Sequence, residues 1–177
     1  MSIKDASMHI REEAPADVDA IHALTQAAFA PMDFSDKTEG AALKALRARG
    51  ELTISLVAEE AGALIGHVAF SPVAIDGVHD GWYGLGPISV RPGRQRNGVG
   101  KALIARGLGM LRDLGASGCA LIGNPRIYSR AGFVSDGRLS YRNLPSEYVQ
   151  RIVFRGPPPS GALRFASGLE DDALPTG

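Results

Sequence analysis

Apolar and polar positions alternate along this chain with two periods, and the changes of period mark its elements. HIREEAP, residues 9–15, predicts a short strand running into a helix, with Pro15 near the first turn and Asp17 and Asp19 at the positive end of the helix dipole. Val18, Ile21, Leu24, Ala28 and Phe29 continue at helical spacing. A second helix is predicted over residues 36–49, with Leu43 and Leu46 facing inward and Gly50 as its stop. LTISLVAEEAGALIGHVAFSPVAID then reads as two strands about a tight turn at residues 60–62. GWYGLGPISV is a further strand whose glycines and Pro87 predict a bulge or an edge.

Beyond a loop, Val99, Leu103, Met110 and Leu114 form an apolar stripe, widened by Ile104 and Leu111, on a helix over residues 98–114 that Gly115 closes. GCALIG follows as a short apolar strand. Strand, glycine-rich turn, helix and strand make a βαβ unit with a parallel pair. RIYSRAGF predicts a short helix ending at Gly132, and VQRIVF a late strand. The expected architecture is α/β, a mixed sheet with helices on both faces. It forms one domain over residues 1–155, and the Pro-rich, then acidic, residues 156–177 are expected to trail as an extended or partly mobile tail.

Composition narrows the function. Nineteen basic residues balance nineteen acidic ones, so neither a nucleic-acid partner nor a basic membrane binder is expected. The single cysteine, Cys119, excludes an intrachain disulfide and argues against a thiolate metal cluster; it reads as an inert core thiol, and no metal is expected. The opening residues carry no apolar leader and no run reaches membrane-spanning length, so the expected location is cytoplasmic. Charge is unevenly placed, however. Residues 81–135 hold one acid, Asp113, against eight basic side chains, among them Arg91, Arg94, Arg96 and Lys101 around the glycine-rich loop. Such a segment suits a multiply charged small anion, although Arg106 and Arg112 fit a solvated helix face.

Two common anions fit the loop poorly. A phosphate-binding Walker loop needs Gly-Lys-Ser/Thr, but Gly100-Lys101 is followed by Ala102, and Gln95 stands where the first glycine belongs. A dinucleotide fingerprint needs a third small residue where Leu103 lies, and an acid downstream where the chain reads SGCALIGNP.

What remains is Val90, Pro92, Gln95, Gly98, Gly100 and Leu103, a full match to V-x-P-x-x-(Q/R)-x-x-G-x-(G/A)-x-x-L. Further on, Tyr128, Gly132 and Phe133 supply Y-x-x-x-G-F. Together these resemble the GNAT superfamily of acetyl-CoA-dependent N-acyltransferases, and GPISV followed by NPRIYSRAGF is similar to its YhbS-like subgroup. The resemblance implies a GNAT-like, strongly twisted mixed sheet of about six or seven strands, splayed between two parallel strands at the acyl-CoA site.

It also implies roles. Acetyl-CoA is the implied cofactor, its diphosphate held by Gln95, Arg96, Asn97, Gly98, Val99, Gly100 and Lys101 at a helix N-terminus. Arg94, Arg96 and Lys101 would add charge for its phosphates. The pantetheine arm would lie along Ile88, Ser89 and Val90, where a backbone N–H polarises the thioester carbonyl. Asn124 stands where relatives touch pantetheine, and Tyr128 where many keep a tyrosine that protonates the departing thiolate.

A base is less legible, since the strand before the motif carries no acid. His67 is the candidate base, beside His79, Asp80 or a relay through water, although a lone strand histidine is more often structural. Asp33, Asp36 and Glu39 are placed either to attract a cationic acceptor or to form a solvated helix start. The expected reaction is acetyl transfer to a primary amine, of a small molecule or a protein, by direct attack on the thioester. A non-catalytic acyl-CoA-binding protein, or a longer acyl-CoA or acyl carrier protein as donor, are the alternatives. Related proteins often pair as homodimers through their last strands.

Overall fold

The computed structural model describes residues 8–32 and 38–173. Its frame is a six-stranded sheet in the order β1-β2-β3-β5-β6-β8. The strands are β1 (His9–Glu12), β2 (Ile54–Glu60), β3 (Ala63–Pro72), β5 (Trp82–Val90), β6 (Gly118–Ile122) and β8 (Val149–Val153). Only β5 and β6 run parallel; every other neighbour is antiparallel. The predicted hairpin joins β2 to β3 through Ala61 and Gly62, both at positive φ, the conformation in which a two-residue turn matches strand twist.

Helices α1 (Val18–Phe29) and α2 (Glu39–Ala48) cover one face, and α3 (Val99–Asp113) the other. Two glycines set how closely α3 approaches β3. A Cβ on Gly66 would lie 2.7 Å from Val99 Cγ1, and one on Gly107 would lie 2.2 Å from the Phe70 ring. The helix thus sits directly on the strand, with Val68, Phe70, Leu103, Leu108 and Leu111 closed off between them. That contact fixes where the helix begins, and hence where its loop can hold a ligand.

The segment expected to trail away does not do so. β9 (Gly161–Arg164) pairs with β4 (Ala74–Ile75) on one side and β7 (Leu139–Ser140) on the other, making a second, three-stranded sheet. Helix α5 (Ser167–Ala173) then docks on α2, where a Cβ on Gly168 would lie 2.8 Å from the Leu46 backbone nitrogen. Glu51 accepts hydrogen bonds from the amides of Ser167 and Gly168, and Glu170 accepts from the Phe165 amide, the Tyr141 hydroxyl and Arg142. Composition misled here because three prolines precede the strand but none interrupts it. No helix among the described residues is long and apolar enough to cross a membrane.

Candidate acyl-transfer site

β5 and β6 pair at only three positions, Trp82 with Gly118, Tyr83 with Cys119 and Gly84 with Ala120. Beyond Gly84 they part, while β5 keeps its pairing with β3 and β6 its pairing with β8. The cause lies in β5. Its register against β3 slips between Leu85 and Ile88, where Gly86 and Pro87 together oppose Ala69, and Gly86 takes φ +141°. Such a bulge bends its strand and turns it away from a neighbour. The result is a wedge-shaped cleft that opens from Gly84 toward the loop.

Along this cleft the backbone of β5 presents alternate residues. Arg91 donates its amide to the Ile65 carbonyl, so the antiparallel alternation makes Ser89 and His67 the next hydrogen-bonded pair. Ile88 and Val90 therefore turn their N–H and C=O groups away from β3, into the cleft. Ser89 does the reverse: its backbone serves the sheet and its side chain lies buried on the α1–α2 face. Of the three strand residues expected to face pantetheine, two present backbone groups there and Ser89 does not.

The loop between β5 and α3 ends on Gly98, which caps α3 at φ +85° with no side-chain hydrogen bond. A Cβ there would meet nothing, so backbone conformation rather than space calls for glycine. The amides of the first turn of α3 therefore lack acceptors within the helix and face outward. Arg96 and Lys101 are exposed beside them, and the Gln95 side chain donates to the Val90 carbonyl at 3.3 Å, tying the loop to the end of β5. Arg94 has a different task from the one expected. It forms a two-pronged ion pair with Glu60 at the end of β2, which anchors the loop and holds the Glu60 carboxyl below its usual range.

Across the cleft, the turn after β6 leads into α4 (Pro125–Tyr128). Asn124 caps it, its side-chain oxygen accepting from the Arg126 amide at 2.9 Å, so that oxygen is engaged locally. Tyr128 lays its ring over Gly123, where a Cβ would approach to 2.5 Å, and packs edge-on against Phe133 with centroids 6.3 Å apart. Glycine at 123 thus lets the phenol reach the end of β6. Burial raises the Tyr128 pKa, which keeps the hydroxyl protonated at neutral pH.

His67 lies elsewhere. It is fully buried on the α1–α2 face of β3, and desolvation lowers its pKa to about 4. Its Nε2 lies 2.8 Å from Ser55 Oγ, and Ser55 hydrogen-bonds Glu13, whose carboxylate is gripped by both prongs of Arg47. His79 and Asp80 precede β5 at the end where the strands are still paired, with the Asp80 carbonyl accepting from Ser117, and so stand away from the wedge. Asp33 and Asp36 lie outside the described residues; Glu39 opens α2. Cys119 is buried and burial pushes its thiol pKa up, as fits an inert core residue. The sequence reading missed Phe165, whose ring covers Gly84 at the point of the wedge; the bare glycine was the signal.

The sequence profile of the acetyltransferase (GNAT) domain matches residues 9–135. The chain is 36% identical over 127 residues to the Escherichia coli K12 protein described as an uncharacterized N-acetyltransferase, YhbS, covering 71% of this chain and 73% of that one. The crystal structure of E. coli YhbS in complex with CoA superposes with a TM-score of 0.83 at 29% identity, over 92% of each chain. A GNAT-family acetyltransferase from Brucella melitensis in complex with acetyl-CoA gives a TM-score of 0.84 at 44% identity, over 93% of this chain and 99% of that one. These superpositions reach beyond residue 135, where the profile match stops.

Proposed function

Since the chain belongs to the GNAT acetyltransferase family, we propose that it moves the acetyl group of acetyl-CoA to a primary amine by direct attack on the thioester. The observation that carries the reading is a coincidence of three features. An uncapped helix N-terminus, a strand edge with free backbone groups and a protonated phenol all border one wedge. Bound acetyl-CoA supplies a thioester carbonyl open to nucleophilic attack and a thiolate leaving group.

The chain's own residues divide the remaining work. First-turn amides of α3, with Arg96 and Lys101, bind the diphosphate through the helix dipole and charge-assisted hydrogen bonds. Gln95, Asn97, Gly98, Val99 and Gly100 shape that turn. Ile88 and Val90 hold the pantetheine arm as an added strand would be held, and the Ile88 amide is placed to polarise the carbonyl. Asn124 keeps an amide N–H available near the arm while its oxygen caps α4. Tyr128 gives its proton to the leaving sulfur. That the relatives were crystallised with CoA or acetyl-CoA supports this placement.

Calorimetric titration with acetyl-CoA, against ATP and NAD, tests the donor. Micromolar binding of acetyl-CoA alone, lost in Gly98→Trp, is expected. Thiol release across a panel of amines then tests the chemistry. Tyr128→Phe should lower turnover about 100-fold, as removal of a general acid does, with acetyl-CoA affinity unchanged. One observation favours a second reading, a non-catalytic acyl-CoA-binding protein: Gly84 puts no side chain at the point of the wedge. Binding without thiol release from any amine would select it.

A further inference from the structure

Successive side chains of β8 point to opposite faces of the sheet. Ile152, paired with Cys119, packs on the α3 face against the apolar core that holds Leu121 and Phe133. By that alternation Gln150, paired with Leu121, belongs to the same row, and it is only 1% exposed. An amide in such a row is costly to desolvate unless its hydrogen bonds are made. Gln150 donates from Nε2 to the Gly123 carbonyl at 2.8 Å, just past the end of β6. The Gly123 amide in turn donates to the Tyr148 carbonyl at 3.0 Å. The turn from β6 to α4 is thus tied through both polar groups of one glycine.

That glycine is the one beneath Tyr128. A Cβ on Gly123 would come within 2.5 Å of the phenol ring, so ring and turn are in direct contact. Phe133 bounds one edge of the ring. The phenol hydroxyl has no hydrogen-bond partner among the described residues. The backbone bonds about Tyr128 are long, 3.3 Å from its amide to the Asn124 carbonyl and 3.3 Å from the Phe133 amide to its own carbonyl. Position is therefore set chiefly from below, by Gly123. A proton donor must stand within hydrogen-bond reach of the atom it serves, and a misplacement of about 1 Å can cost about 100-fold in rate.

We infer that Gln150 is the positioning residue for Tyr128: its amide fixes the Gly123 carbonyl, the Gly123 backbone supports the ring, and the phenol is held where the thiolate departs. This rests on the acetyl-transfer reading above. As the carbon–sulfur bond breaks, sulfur keeps its electrons and takes the phenol proton, and the tyrosinate recovers a proton from the acylated nitrogen. Gln150 touches none of the reacting atoms. It stands across β6 from the cleft, on the next strand, and acts through one backbone carbonyl.

Gln150→Met keeps the length of the side chain and removes the donor. With the amine that releases most thiol from wild type, it should lower kcat about tenfold and leave acetyl-CoA affinity within about threefold. In a Tyr128→Phe background the same change should lower kcat by less than about twofold, because the group that it positions is gone. Equal losses in the two backgrounds mark a general structural role and overturn the proposal, as does an unchanged kcat. Gln150→Leu repeats the cycle if the methionine variant folds poorly.

Fluorotyrosine-labelled protein gives a readout without any acceptor. Its four tyrosines give four fluorine lines, and Tyr128→Phe identifies the one from Tyr128. That line should shift or broaden in Gln150→Met while those of Tyr83 and Tyr141 stay in place. A Tyr128 line that does not move, or lines that all move together, overturns the proposal. Failure of wild type to release thiol, or a Tyr128→Phe protein as fast as wild type, defeats the acid role of Tyr128 instead, and the fluorine line still decides whether Gln150 holds the ring.

Discussion

The two faces of the central sheet are filled in opposite ways. Under α3 the buried side chains are apolar, and glycines at 66 and 107 bring helix and strand into direct contact. Under α1 and α2 a smaller apolar group around Ile21, Leu46 and Val57 is interleaved with Ser55, His67, Ser71 and Ser89. The first face is rigid because nothing in it can be hydrated or rearranged without loss of packing. The second carries buried polar groups, whose stability depends on their hydrogen bonds and on pH. One face fixes the origin of α3 and so the anion loop; the other buries hydroxyl and imidazole side chains beneath the strands that flank the cleft.

The sharpest test of this contrast is acid. His67 has its pKa lowered from 6.5 to about 4 by desolvation. Between those values the unfolded chain binds a proton that the folded one refuses, so stability is full above pH 6.5 and falls as pH drops toward 4. The loss amounts to roughly 3 kcal/mol for one group shifted this far. Urea midpoints across that range should fall steeply in wild type and much less in His67→Gln; equal slopes would place the acid sensitivity elsewhere.

On the α3 face the response should be steric and independent of pH. Gly107→Ala drives a methyl into the Phe70 ring, and overpacking of that kind costs about 1–3 kcal/mol, partly offset by alanine's better helix propensity. The expected net loss of about 1–2 kcal/mol should read as a lower urea midpoint at constant slope.

Gly98→Ala should cost less stability, about 1 kcal/mol, because only the left-handed backbone resists a side chain there. Its larger effect should be on calorimetric affinity for acetyl-CoA, lowered about tenfold as the first-turn amides turn aside. Smallest of all is Arg94→Ala. It frees an anchor at the protein surface, so it should weaken acetyl-CoA binding about twofold at low salt and less at high salt, without a change in folding.

Much of the α3 side was legible in the chain itself. The stripe of Val99, Leu103 and Leu111, the punctuation at Gly98 and Gly115, and the apolar strand before Asn124 give the βαβ unit within a residue or two of its bounds. Periodicity is strong there because a helix lies along one apolar face. The bulge in GLGPISV was likewise visible, since Gly86 and Pro87 cannot both continue a paired strand. The α1–α2 side was harder to read. Nothing in spacing shows that Glu13, Arg47, Ser55 and His67 converge, because they come from a loop, a helix and two strands. Nor did pattern reveal β4, β7 and β9. Strands of two to four residues leave no period to count, and their partners lie far away in sequence. Arg94 was misassigned for a related reason: residue type announces a cation, while its carboxylate partner is set by the fold.

The three-stranded sheet has a consequence for how this protein comes into being on the ribosome. β9 joins residues 74 and 164, and Gly161 is pressed so close to the Asp76 carboxylate that no side chain fits between them. β9 emerges after every strand it touches and is followed closely by the residue that covers Gly84. A nascent chain can build β1, β2, β3, β5 and the anion loop early, but Val73 and Gly84 stay uncovered until Phe165 arrives. Long-range closures of this kind come late in folding, and the exposed apolar surface is where a stalled or shortened chain would stick to its neighbours.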